Sequence, residues 1–399
     1  MQNEVILNLN KLMQKYIEDL VNEVNLKIDN QTFNFSRELK YLHAKSDDYF
    51  IKSLKLILES KDAEYAKSKP KGVYITHKNK SKTIMTEYGD LILKRRRYVS
   101  KDDGPFYYVD NICGFDLRQR IDKSFQATIL KQSIDESYHS VENKFNNRIS
   151  YITAMNIAKR NEDKIVAIND SKKKKLNEIY IEADEDHISL LDKKRTLVKL
   201  LYIHEGYRFN YLTGKNELIN PHYISRIKGD IWKEAQDYVN LVYGEDVFVH
   251  LNGDGAYWIK SGITYFKNVK FHLDKYHTKY SIDVIASNDL KLKEKLYNIF
   301  SLDDNSKKRK ELFLIYYSIK ENTTASAENR WQYLIANSKY INFNDINSHC
   351  SAESHVSHVL SSRMSSRPMA WSIDGADRMA RYRALKYNNY DIEELLVGS

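Results

Sequence analysis

Cysteine is nearly absent from this chain, with Cys113 and Cys350 the only two in 399 residues. That excludes a disulfide framework and a zinc site of four thiolates, and it suits a reducing compartment. Long apolar runs are missing as well. No stretch approaches the ~20 residues of a membrane-spanning helix, and the opening MQNEVILNLNKLMQKYIEDL carries Glu4, Asn8, Lys11 and Glu18 inside its apolar pattern, which a signal-peptide core would not. The expectation is a soluble cytoplasmic protein. Proline (four) and glycine (13) are scarce, so the places where glycine does occur are informative.

Apolar residues make up 42%, enough for a full-sized core in a chain of two or three domains. Lysine and arginine number 63 against 54 acidic residues, giving a net charge of +9 and a pI near 9.0. The excess favours a polyanionic partner, nucleic acid first, although a solvated basic surface would give the same sum.

Residues 1–70 read as helical: Ile6, Leu9, Met13, Tyr16, Leu20 and Val24 recur at three- and four-residue spacing, a stripe more suited to packing on its own domain than to dimerisation. Over 71–120 the period shortens to alternating runs broken by Gly89 and the turn residues Asp102, Asp103, Gly104 and Pro105, which predicts a small antiparallel β unit. Arg95, Arg96 and Arg97 fall on both faces of one of its strands, so at least one face is open to solvent or phosphate.

Over 121–170 the pattern is helical again. Val141 and Phe145 end one short helix, Asn146 and Asn147 suit a tight turn, and Ser150 can cap the next helix, which bears Ala154 and Ile157. That is the spacing of a helix-turn-helix DNA-binding region, and equally of an ordinary helical hairpin. After the basic run Lys172–Lys175, the order of patterns to His277 is β-β-β-α-β-α-β, an α/β core. Residues 278–345 read as a charged helical insertion, 346–385 return to strong pattern, and 386–399 form a tail.

In NGDGAYWIK, Asp254 stands between two glycines where a buried strand ends and a helix begins, the place at which open α/β sheets position reacting groups. The glycines are expected to let backbone and substrate approach the carboxylate. On the first core strand, alternation puts Glu182, Asp184 and Asp186 on one face. Glu353, in SAESHVSHVL, precedes a helical apolar stripe. Two strand aspartates and a helix glutamate make an oxygen-only donor set suited to Mg²⁺ or Mn²⁺. Asp274 and His277 read as a hydrogen-bonded pair, His355 and His358 as groups that position phosphate or a carboxylate, and Arg363 and Arg367 as two forks on one helix face, gripping a phosphate backbone.

YIEADEDHISLL, LYIHEG, NGDGAYWIKSG, FHLDKYH and CSAESHVSHVLSSRMSSRPMAWS, in this order, closely resemble the Lre-type family of bacterial insertion-sequence transposases, a Mutator-like branch with a DDE catalytic core. The likeness covers about residues 80–385; Ser354 departs from it, standing where the family pattern has glycine. It implies an RNase H-like catalytic core (171–277 and 346–385) interrupted by the 278–345 insertion, with the triad Asp184, Asp254 and Glu353 on the first strand, after the fourth strand and on the helix after the insertion. Asp184 rather than Asp186 fits the first-strand frame, and Asp274 to His277 matches the family's aspartate–histidine motif. The implied activity is phosphodiester cleavage and strand transfer with two Mg²⁺ ions held by the triad. The implied partners are transposon ends with their terminal inverted repeats, target DNA in the nucleoid, and further copies of the chain on DNA. A structure-specific nuclease on the same scaffold, or a domesticated DNA-binding protein that no longer cuts, are the alternatives.

Overall fold

The computed structural model of the chain describes residues 2–101, 104–165, 173–322, 324–348 and 350–398. Of the residues read above, Asp102, Asp103 and Lys172 lie outside the described residues. The chain divides into two compact units, 1–129 with 393–399, and 130–392.

In the first unit α1 (Gln2–Asp29) and α2 (Phe35–Ser68) form a helical hairpin. Asn34 starts α2 by accepting the Arg37 amide at 3.1 Å, which satisfies one of the amides a helix start leaves open. Tyr16 stacks on Tyr49 with centroids 5.0 Å apart, and Lys27 meets Glu38 at 2.7 Å, so the two helices run antiparallel. The predicted stripe divides here: Leu9, Tyr16, Leu20 and Val24 are half-buried, whereas Ile6 and Met13 are exposed. β1 (Tyr74–Thr86), β2 (Gly89–Ser100) and β3 (Gly104–Phe106) make an antiparallel sheet in the order β1-β2-β3, followed by α3 (Tyr108–Cys113). Its core of Ile84, Leu91, Leu93 and Val109 is covered by Ile51 and Leu58 of α2.

The arginine run does not act as a set. Arg95 is buried, ion-paired with Asp110 beside Lys82, with its guanidinium 3.7 Å from the Tyr107 ring centroid. Arg96 donates at 2.8 Å to the fully buried Asp62. Both arginines thus have acidic partners inside the protein, where unpaired burial of Asp62 or Asp110 would be costly, and Arg96 keeps part of its side chain exposed. Arg97 instead lines a groove of about 540 Å³ with His77, Lys80 and Phe106.

α4 (Lys123–Asp135) carries the chain across the boundary between the units, and α5 (Tyr138–Lys144) and α6 (Tyr151–Arg160) follow. The turn between α5 and α6 forms as its residues require, with Asn146 and Asn147 left-handed at φ 51° and 60° and Ser150 accepting the Thr153 amide at 3.2 Å.

The second unit is mixed α/β around a five-stranded sheet of order β10-β9-β4-β5-β8. β4 (Glu178–Ser189), β5 (Arg195–His204) and β8 (His222–Arg226) run antiparallel, while β9 (Phe248–Gly253) and β10 (Asn268–Leu273) lie parallel on the other side of β4. A hairpin of β6 (Tyr207–Asn210) and β7 (Lys215–Leu218) occupies the stretch between β5 and β8 that has no clear sequence pattern. Parallel connection needs crossovers, supplied by α7 (Ile231–Val242), which Asp230 caps, and by α8 (Tyr257–Ser261). Among the described residues the elements of the insertion are all helices: α9 (Lys275–Ala286), α10 (Leu290–Phe300), α11 (Asn305–Ile319) and α12 (Ala325–Asn337).

Alternation along the strands builds two cores. Ile179, Ile181, Ala183, Val249, Leu251 and Phe271 face α7 and the insertion helices, with Trp331 fully buried among them. On the opposite face Ile188, Val198, Leu200 and Tyr202 meet α13 (Ala352–Val356), a π-helical turn (Ser357–Ser361), α14 (Ser362–Met364) and α15 (Ile373–Tyr387). Each such Leu, Ile or Val contributes roughly 1.5–3 kcal/mol by leaving water. α16 (Ile392–Val397) ends the described chain. Among the described residues no helix is long and apolar enough to cross a membrane.

Candidate active site

Strand register decides which carboxylates meet. Ala183 of β4 pairs with Gly253 of β9, and Gly253 with Leu273 of β10. The next residue in each case is an aspartate: Asp254 and Asp274 directly follow the ends of β9 and β10, and Asp184 lies at the same level in the middle of β4, which runs on to Ser189. Asp184 shares the face of the second core, because Ala183 points into the first.

Burial pushes the Asp184 carboxyl up to about 7, and the charge of Asp254 adds to the push against a hydrogen bond from the Glu185 amide at 2.8 Å. Asp254 accepts the Ala256 amide at 2.8 Å, and its carbonyl takes the Tyr333 hydroxyl of α12 at 2.7 Å. Asp274 caps α9, accepting the Tyr276 amide at 3.0 Å, and receives His277 Nδ1 at 2.7 Å. That bond, with Asp254 and Asp184 nearby, raises the His277 pKa above its ordinary value. The structure thus brings Asp184, Asp254, Asp274 and His277 into one electrostatic neighbourhood.

Glu353 sits in the first turn of α13, on the same side of the sheet, with its side chain exposed. Its helix is held by a residue to which sequence reasoning gave no role. Glu182, fully buried two positions before Asp184, accepts from Tyr202 and Tyr207 hydroxyls, from His204 Nε2 at 3.1 Å, and from both the amide and the hydroxyl of Ser351, the latter at 3.2 Å. These donors outweigh burial and hold its carboxyl at about 2. Ser351 immediately precedes α13, so Glu182 pins the start of the glutamate helix to the aspartate strand. The signal was available: a carboxylate on a buried strand face demands donors, and LYIHEG supplies Tyr202 and His204.

Other expected residues take structural places. Asp186 receives the Ser365 hydroxyl at 2.7 Å. His355 bonds the Ser351 carbonyl at 3.0 Å and stacks on Tyr202 with centroids 4.5 Å apart, and burial lowers its pKa. His358 has an exposed side chain, and its carbonyl accepts from Arg383 and Tyr387. The pairing of Arg363 and Arg367 on one helix face is corrected. α14 ends at Met364, and Arg363 is buried, donating to the Ser133 carbonyl at 3.1 Å and lying 4.9 Å from the Trp371 ring centroid, whereas Arg367 is exposed beyond the helix. The glycines also act differently from expectation. A Cβ on Gly253 would meet Ile259 at 2.7 Å and the Ala183 carbonyl at 2.9 Å, and Gly255 has φ +88° with Leu273 2.8 Å from its would-be Cβ. Close packing of the strand end, more than access for a substrate, demands them.

The donor chemistry suits a hard cation: oxygen ligands only, with one carboxyl raised by burial. Placement suits it in part, since among the described residues no three His, Cys, Asp or Glu side chains converge closely enough to hold a metal ion. Asp184 and Asp254 are the coupled pair, and Glu353 stands on the adjoining helix.

Fold and site together define a mixed α/β protein with a pair of aspartates, one within a sheet strand and one just past the end of its parallel neighbour. The chain belongs to the uncharacterised protein family UPF0236, whose model matches residues 28–397. Similar relatives come from Caldanaerobacter subterraneus subsp. tengcongensis. One UPF0236 protein is 29% identical over 98% of this chain and 84% of its own length, and its name joins eleven locus designations. A second is 30% identical over 82% of this chain and 72% of its own length, with four.

Proposed function

We propose that this protein is the DNA transposase of a bacterial insertion sequence, binding terminal inverted repeats and catalysing metal-dependent cleavage and strand transfer on an RNase H-like core. The observation that carries the reading is the Asp184–Asp254 pair, Asp184 within β4 and Asp254 just past the end of the adjacent parallel strand β9, with Asp184 raised to about 7. The positions support it too: Asp184 lies on the first strand of the five-stranded sheet, Asp254 directly after the fourth, and Glu353 on the helix that follows an all-helical insertion. A relative carried under eleven locus designations in one organism is what a self-copying element leaves behind.

Asp184 and Asp254 would hold Mg²⁺ or Mn²⁺, with Glu353 of the adjoining helix as the third ligand once its exposed side chain turns towards them; the ion when bound would supply the positive charge that activates water or a 3′-hydroxyl and steadies the departing oxygen. The protein's own groups do the arranging. Glu182 fixes the helix of Glu353 through Ser351, Tyr333 ties the insertion to the Asp254 backbone, and the Asp274–His277 pair places beside the aspartates an imidazole whose protonated form Asp274 favours, where a phosphate oxygen would be met. End recognition falls to α5–α6, whose second helix leaves Tyr151, Ile152, Met155, Lys159 and Arg160 exposed, and to the groove of Arg97.

The test uses DNA carrying the ends of the element that encodes the protein, incubated with Mg²⁺. Cleavage at the ends and joining of the freed 3′-ends to target DNA are expected, and Asp254→Asn should bind the ends and cut nothing. Cutting without joining would indicate a nuclease instead, and full cutting by Asp254→Asn would overturn the assignment.

A further inference from the structure

The α1–α2 hairpin carries an apolar face that the described residues of its own unit do not cover. In α1, Ile6, Met13, Ile17, Val21 and Ile28 are 50%, 49%, 47%, 52% and 53% exposed; in α2, Phe35, Leu39, Phe50, Leu54 and Ile57 are 71%, 57%, 64%, 43% and 39% exposed. At about 100° per residue, each set of five falls within a ~100° arc of its helix. The residues with which the helices meet, such as Leu9, Leu12, Tyr16 and Leu20 in α1 and Leu42, Lys45 and Tyr49 in α2, are half-buried. Viewed from its own N-terminus, each exposed arc is rotated from that contact line by about the same ~100° in the same sense. Because the helices are antiparallel, equal rotations bring both arcs to one side of the hairpin. The result is a two-helix face that is mainly apolar, with Asn10 of α1 and His43 of α2 also within the arcs.

We propose that this face is a homodimer interface, on which a second copy of the chain packs its own α1–α2 hairpin to close a four-helix bundle. Its dimensions suit that occupant. Twenty-eight residues of α1 span about 42 Å, and two helices at an 8–10 Å spacing give a width of about 20 Å. The product is on the order of 800 Å² a side, the area of a stable interface. Nucleic acid is a poor occupant: α1 and α2 hold ten basic and eleven acidic side chains, net −1, within a chain of net +9. A membrane-spanning role is equally unsupported, since neither helix is long and apolar enough to cross. A two-fold arrangement needs only that the face match itself, and a flat strip of aliphatic and phenyl groups does so. The inference goes beyond the transposase reading and does not depend on it.

The full-length protein, free of DNA and at tens of micromolar, is measured by sedimentation equilibrium. Twice the chain mass of 47.0 kDa is expected. Met13→Asp with Phe50→Asp should return the mass to 47.0 kDa with unchanged helical circular dichroism. Leu26→Asp makes the same change at a 61% exposed site on the far side of α1 and should leave the dimer intact. Should the double Asp variant lose helix, Met13→Gln with Phe50→Gln takes its place, with a dimer dissociation constant raised at least tenfold. A monomeric wild-type protein, a double variant that stays dimeric, or equal dissociation by Leu26→Asp would each overturn the proposal.

Discussion

Asp184 and Asp254 stand at one level on neighbouring parallel strands, each a residue beyond the Ala183–Gly253 pair, and the Asp254 charge adds to the burial that holds Asp184 at about 7. Burial first, and repulsion from Asp254 with it, opposes the charge on Asp184, an arrangement that costs stability unless a cation arrives.

That cost is measurable without metal. The folded pKa of Asp184, about 7, lies above its unfolded value near 3.9. Stability linked to this group is full below pH ~4 and is lost as pH rises through ~7. In chelator at pH 8, Asp184→Asn should be more stable than the parent by on the order of 2–4 kcal/mol, with the gain vanishing near pH 4. Urea titrations at both pH values check this, and a destabilised variant at pH 8 would show that the carboxylate is already neutralised within the protein.

Glu182 has the opposite sign. Its folded pKa of about 2 lies below the unfolded one near 4.3, so its contribution is present above pH ~4 and is lost as pH falls towards 2. Glu182→Ala strands Tyr202, Tyr207, His204 and Ser351 without their common acceptor. A loss of roughly 3–5 kcal/mol at pH 7 is expected, together with faster amide exchange over residues 351–356. Ordinary exchange there in the variant would mean that other contacts hold the helix of Glu353.

Much of this was legible in the sequence because local chemistry and global fold agree. The strand order to His277, the Asn146–Asn147 turn, the Ser150 cap and the Asp274–His277 pair each follow from residue types at short range. What escaped was long-range. Glu182 reads as one acid among several until Ser351, 169 positions away, is seen to donate to it. Arg363 and Arg367 suit one helix face at their spacing, but the π-helical turn at Ser357–Ser361 and the end of α14 at Met364 send them apart. Arg95 and Arg96 look like a phosphate grip until Asp110 and Asp62 are found beneath them. Glu182, Arg363, Arg95 and Arg96 each meet a partner that spacing cannot reveal.

The two arginines should part company in experiment. Arg363→Ala removes a buried fork from the Ser133 carbonyl and from the Trp371 ring and should cost about 2 kcal/mol in denaturant titration. Arg367→Ala should leave stability within about 0.5 kcal/mol. If Arg367 meets one phosphate, its removal lowers the log–log salt slope of end-DNA binding by about 1. Equal stability losses in both variants would contradict the burial difference.

A last prediction concerns the polar face of the sheet behind the aspartate row. Burial lowers the His272 pKa to about 4, against an opposing pull from Asp345 at 3.4 Å. His250 lies 3.1 Å away, and the charges of Lys270 and Lys275 also disfavour a second proton on this ring. Unfolded, the same imidazole titrates near 6.5. The neutral folded form therefore adds stability that is whole above pH ~6.5 and is lost as pH falls to about 4, amounting to roughly 3 kcal/mol. His272→Gln keeps a hydrogen-bonding side chain that does not titrate, so it should flatten the fall in unfolding free energy between pH 6.5 and 4.5. The measurement is a set of urea transitions at half-unit pH steps for parent and variant. Parallel curves for the two would show that His272 takes up its proton in the folded protein as readily as in the unfolded chain, with Asp345 strong enough to hold it.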